Sequence, residues 1–164
     1  MSGATLLKKN HDQVTILLNR SLRMKTGSRW MEGFQTFDYG LKLLRQAFER
    51  GDGTLNRLEK EGVIHRFEYC LELAWKIARD YLENSGLVIA PVTPREVVRQ
   101  AAAAQIVADA QVWIDMLDHR TLLAHSYDGV VFSEVVEAIN TRYLPAMEQL
   151  HGFLAARNQA MEKN

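Results

Sequence analysis

The chain has 164 residues, the size of one ordinary domain, and a chain of that size buries roughly two thirds of the surface its unfolded form exposes. Twenty Lys and Arg balance twenty Asp and Glu, so no global field gathers nucleic acid or anionic lipid and any such binding must be local. A content of 47% hydrophobic residues with three Pro and a single cysteine, Cys70, excludes a disordered chain, an internal disulfide and a Cys-based zinc site.

Between Met1 and Arg29 stand the basic residues Lys8, Lys9, Arg20, Arg23, Lys25 and Arg29 against one acid, Asp12. The longest apolar run there, Ile16 to Leu18, is too short for a secretory core. No stretch of the chain approaches the ~20 apolar residues of a membrane span. A cytoplasmic protein without membrane association is expected. Residues 1–28 are read as a basic extension, a loosely held leader in preference to a phosphate-contacting arm. Residues 29–158 form the helical body and 159–164 a tail.

Trp30, Phe34, Phe37, Leu41, Leu44 and Phe48 recur at alternating spacings of four and three, the seam of one helix. Gly51-Asp52-Gly53 stops it. Thr54 is the candidate N-cap of a second helix, whose stripe runs through Leu58, Ile64, Phe67, Leu71, Trp75, Ala78 and Leu82. Cys70, Leu73, Ile77 and Tyr81 widen the stripe, as befits a central bundle helix. Its polar face carries Glu68, Glu72, Lys76, Arg79 and Glu83, where Glu72 with Lys76 and Arg79 with Glu83 read as surface ion pairs.

Asn84-Ser85-Gly86 ends that helix, and a loop runs through Pro91. Thr93-Pro94-Arg95-Glu96 reads as a capping box with Pro at the first helical position. The alanine-rich helix that follows is expected to reach about Gln105. Asp109 caps the next helix, whose inner seam of Trp113, Met116, Leu117, Leu123 and Ala124 also takes in Arg120. After the stop at Asp128-Gly129, Val135, Ile139, Tyr143, Ala146, Leu150 and Phe153 continue at helical spacing, with a kink expected at Pro145. No alternating strand pattern competes. The class is all-α, an up-down helical bundle of four to five helices.

Several chemistries lack their residues. There is no Gly-rich phosphate loop, no His-Glu-x-x-His and no Asp-x-Asp pair, so the chain is not itself a nucleotidyltransferase, and no cofactor or metal is expected. Glu148-x-x-His151 is half of a di-iron motif without its second copy. Cys70 falls within an apolar arc and reads as an inert thiol. His11, His65, His119 and His151 stand alone and read as surface or packed histidines.

The stretch from Asp118 to Asp128 concentrates polar chemistry on a core seam. An arginine there costs free energy unless it reaches water or finds an anion. His125 lies roughly 140° around an ideal helix from Arg120, so the two share a site only if the helix ends near His125. Where they converge, they suit metal-free phosphodiester cleavage. An imidazole with a pKa of about 6.5 moves a proton at neutral pH, a guanidinium holds developing phosphoryl charge, and RNA supplies its own 2′-hydroxyl. Tyr127 offers a hydroxyl at the rim. The competing reading, favoured by spacing alone, pairs Arg120 structurally with Asp118, Glu68 or Glu72 and leaves His125 to cap the helix end.

The phrase Arg120-x4-His125-x-Tyr127 resembles the signature of HEPN proteins that accompany a minimal nucleotidyltransferase (MNT), also called nucleotidyltransferase substrate-binding proteins. Trp30-x3-Phe34, Phe67-Glu68-Tyr69 running into Leu73-Ala74-Trp75-Lys76, Thr93-Pro94-Arg95-Glu96 and Trp113-Ile114-Asp115-Met116-Leu117 resemble that family in the same order. The resemblance implies a helical homodimer with Arg and His of two protomers facing across a cleft, and an MNT partner. It implies a toxin, a metal-independent endoribonuclease acting on RNA, in which Arg120 stabilises the scissile phosphate and His125 is general acid or base. Tyr127 would be the residue the partner adenylylates. Thr121 stands where the family commonly carries an asparagine, so a hydroxyl replaces an amide beside the arginine. The alternative is a non-catalytic subunit that binds nucleotide or substrate for the transferase, and a third reading is a bundle with only structural dimer contacts.

Overall fold

The computed structural model describes residues 29–49, 55–125 and 128–162, which form helices and short connections with no strand among them. Helix α1 covers 29–46 and α2 Arg57–Asn84; α3 is Pro94–Ala103, α4 Ala110–Leu123 and α5 Gly129–Ala138. A π-helical turn, Ile139–Tyr143, joins α5 to α6, Leu144–Glu162. The backbone stays right-handed helical through Ala138, Ile139 and Leu144, so α5, the turn and α6 make one rod. Among the described residues five rods result, the all-α bundle expected. The basic extension, Gly51-Asp52-Gly53, Thr54, Tyr127 and the last two residues of the tail lie outside the described residues.

Local chemistry sets the helix ends. Asn56 caps α2: its side chain accepts from the Glu59 amide at 2.9 Å while the Glu59 carboxylate accepts from the Asn56 amide at 2.8 Å, a full capping box. Thr93 gives only half of one. Its hydroxyl accepts from the Glu96 amide at 3.2 Å, but Glu96 turns to Gln100 and Arg99, and the Thr93 amide goes to the Pro91 carbonyl. Asp109 caps α4 as its position suggested, and Asp128, read as part of a stop, caps α5. Gly86, at φ 93°, closes α2 with bonds from its own amide to Glu83 and from Leu87 to Leu82, the two contacts of a Schellman motif. The same pair of bonds closes α3, from Gln105 to Ala102 and Ile106 to Ala101, yet Gln105 occupies the left-handed position at φ 58°.

Helix α2 is the hub, packed against α3 and α5, while α4 rests on α3, α5 and the π turn. Phe67 of α2 stacks on Tyr143 at 5.5 Å, and Tyr81 lies edge-on between Trp30 of α1 and Phe153 of α6. Gly40 lets α1 come close to α2, because a Cβ there would stand 3.3 Å from the Cys70 sulfur. Cys70 is fully buried, and burial pushes its thiol up to about 12, which makes it the inert side chain the apolar arc implied.

Several sequence expectations need correction. Leu58 faces solvent, because α2 begins at Arg57 and its first turn precedes the packed stretch. Glu72 and Lys76 pair at 2.7 Å, but Arg79 turns to Asp80 at 2.7 Å and Glu83 is taken by Arg29 at 2.9 Å. The buried Asp80 draws both arginines toward it. His119 and His151 do not stand alone. His119 Nδ1 meets the Tyr143 hydroxyl at 2.8 Å, and His151 pairs with Asp38 at 2.7 Å and stacks on Phe34. Pro145 is the second residue of α6, separated from the π turn by Leu144 alone, so the irregular backbone lies just before the proline.

Candidate functional site

Helix α4 places three large side chains, Trp113, Met116 and Leu117, in the core, and one turn after Met116 comes Arg120. Its guanidinium crosses to α2, where Nη1 donates to Glu72 Oε2 at 2.7 Å. Glu72 is held from its own helix as well. Lys76, four residues on, reaches Oε1 at 2.7 Å, and the indole N–H of Trp75, three residues on, reaches Oε2 at 3.0 Å. Partial burial pushes the Glu72 carboxyl up, but hydrogen bonds from Lys76, Trp75 and Arg120, with the charge of Lys76, bring it down to about 2. Glu72 is therefore anionic throughout the neutral range.

Among the described residues Glu72 is the only hydrogen-bond partner of the Arg120 side chain, and Nε and Nη2 are left for a ligand. The side chain is 40% exposed and lines an open cleft of about 740 Å³. Helix α2 contributes Glu68 to the cleft, the start of α3 contributes Thr93, Pro94 and Arg95, and α4 contributes Leu117, Arg120, Thr121 and Ala124. Asp118, a named candidate partner of Arg120, is instead ion-paired with Arg95, which lines the cleft. Glu68, the other candidate, lines the cleft one turn before Glu72. Thr121 donates its hydroxyl proton to the Leu117 carbonyl at 3.0 Å, so only its acceptor side faces outward.

His125 sits just beyond the C-cap Ala124, its amide bonded to the Leu122 carbonyl at 3.1 Å and its side chain exposed. Helix α4 thus ends where a shared site requires. Within one protomer, however, no hydrogen bond or ion pair among the described residues joins the imidazole to Arg120. Tyr127 lies outside the described residues.

A second polar cluster backs α4. Asp115 accepts from Gln111 at 2.7 Å and from Arg142 at 2.6 Å. Those hydrogen bonds hold its carboxyl below the usual range. Burial pushes the Tyr143 hydroxyl up to about 12, so it stays protonated in its hydrogen bond with His119 Nδ1. Glu148 bonds Arg45 rather than converging with His151, and no group of three metal-ligating side chains exists among the described residues.

Trp75 and Lys76 were not legible as parts of this site. Trp75 read as a core position, and Lys76 as one half of a surface pair. The signal that could have found them is the Glu-x-x-Trp-Lys spacing, which sets both donors on the face of the acid.

A family model described as nucleotidyltransferase substrate binding protein like matches residues 32–156. No curated protein matches the sequence. Among solved structures, a protein of Thermus thermophilus is 30% identical with a TM-score of 0.63, covering 71% of this chain and 96% of its own. A tri-AMPylated HEPN toxin of Shewanella oneidensis, solved in complex with MNT antitoxin, is 18% identical with a TM-score of 0.63, the match covering 77% of this chain and 96% of that one. A mutant of the MntA-HpeT toxin–antitoxin is 20% identical with a TM-score of 0.64, over 77% of this chain and 97% of that chain. The last two share its fold.

Proposed function

Because the chain belongs to the nucleotidyltransferase substrate binding protein like family, we propose that it is a HEPN-type toxin, a metal-independent endoribonuclease neutralised by a cognate minimal nucleotidyltransferase antitoxin. The observation that carries this reading is Arg120, anchored by one nitrogen to Glu72 while its partly exposed side chain lines an open cleft. A guanidinium so held is preorganised for a phosphate.

In the reaction, the RNA 2′-oxygen attacks the adjacent phosphorus as the bond to the 5′-oxygen breaks. The products are a 2′,3′-cyclic phosphate and a 5′-hydroxyl. Arg120 holds the phosphoryl oxygens as charge builds on them. His125 takes the 2′-hydroxyl proton or returns one to the leaving oxygen. A homodimer supplies the missing proximity, because the exposed His125 at the end of α4 is free to reach the cleft of a second copy. The tri-AMPylated toxin bound to MNT antitoxin in the Shewanella relative supports an MNT partner and AMPylation as the modification here; Tyr127 is the residue that would take it. A cytoplasmic setting suits RNA as the target, and no helix among the described residues is long and apolar enough to cross a membrane.

Thr121 favours a second reading, a non-catalytic subunit that binds nucleotide or substrate for the transferase. Its hydroxyl proton is committed to the helix backbone and does not replace an amide donor. Incubating unmodified protein with RNA separates the two. Cleavage that falls at least about a hundredfold in both Arg120→Ala and His125→Ala, with helical content retained, supports the nuclease. RNA left intact by the wild type favours the binding subunit.

A further inference from the structure

Glu72 carries three donors on two oxygens, and these donors differ in stiffness. Lys76 is a flexible four-carbon stem, 47% exposed, whose ammonium keeps its charge near the acid in many rotamers. Arg120 is the group being positioned. Trp75 has only two side-chain torsions and packs half-buried against the core. Its ring lies beside Lys76 Nζ, 5.8 Å from the centroid, and Arg79 Cζ, at 5.7 Å, and Arg79 is tied in turn to Asp80.

The indole N–H is thus the one rigid donor on the carboxylate, and it binds Oε2, the oxygen that also accepts Arg120 Nη1. Occupying Oε2 from the side of α2 sets the plane of the carboxylate. It also works against the alternative a free carboxylate prefers, a two-pronged grip on the guanidinium that would use up a second nitrogen. We infer that Trp75 is a positioning residue for Arg120, acting through Glu72 to keep the guanidinium singly engaged and its remaining N–H groups turned to the cleft. Its kinetic consequence rests on the ribonuclease reading above; its structural consequence does not.

The experiment uses the full-length protein and Trp75→Phe, which keeps an aromatic ring at this half-buried position and removes the N–H together with part of the indole. The backbone NMR spectrum verifies that the variant is folded. The first readout is the nitrogen-15 order parameter of Arg120 Nε–H, expected to fall in Trp75→Phe, together with an upward shift of the Glu72 carboxyl titration. The second is cleavage of a short single-stranded RNA, where kcat falls about tenfold with KM little changed, as for one lost hydrogen bond to a charged group. An Arg120 order parameter that is the same in wild type and variant overturns the inference, whatever the kinetics. A lowered order parameter in a protein whose wild type leaves RNA intact supports the positioning role and overturns the ribonuclease reading.

Discussion

Arg120 near the end of α4 and Glu72 in the middle of α2 are joined at 2.7 Å across 48 residues of sequence. The pair resolves the cost of an arginine on a core-facing seam, since the carboxylate supplies the anion and the cleft supplies water to the remaining nitrogens. A structural ion pair with Glu72 and the phosphate-binding role proposed for Arg120 are therefore compatible, not rival, arrangements. An arginine bound on one nitrogen is oriented without being used up.

The Glu72 carboxyl makes acid stability a readout of this pair. Its folded pKa, about 2, lies below the ordinary 4.5, so its contribution is present above pH 4.5 and is lost as the pH falls through 2. Urea unfolding between neutral pH and pH 2 is expected to show a steeper acid loss for wild type than for Glu72→Gln. Equal slopes would mean that the pair adds nothing to folding.

Gln105 closes α3 in a left-handed conformation that has no Cβ penalty only for glycine. Gln105→Gly should raise stability by about 0.5–1 kcal/mol. The check is the urea midpoint, which moves up at constant slope. A midpoint that drops would show that the side chain supplies more than its backbone strain costs.

Co-expression with the cognate nucleotidyltransferase is expected to add nucleotide mass to the protein on Tyr127. Intact-mass spectrometry should show the increment in wild type and lose it in Tyr127→Phe. An increment that survives the substitution assigns the modification elsewhere.

The apolar seams of α1 and of the long α5–α6 rod were legible because burial of one helix face imposes a three-and-four spacing that needs no knowledge of the partner. The cap at Asp109 and the stop at Gly86 were legible too, since each acts within a few residues, whereas Asp128, read as a stop, is the cap of α5. Exposed Leu58 and the shifted pairings of Arg79 and Glu83 were not, because packing and the buried Asp80 select among equivalent local choices.

By itself, then, the sequence determined the helices, their order and the presence of an arginine too polar for its seam. Only the tertiary structure decided that Glu72, and not Asp118 or Glu68, receives it, that Arg95 takes Asp118, and that Trp75 is a donor as well as a packing residue. Helix periodicity is a short-range property of the chain, whereas the choice among three carboxylates depends on which one the packed helices bring within hydrogen-bonding distance.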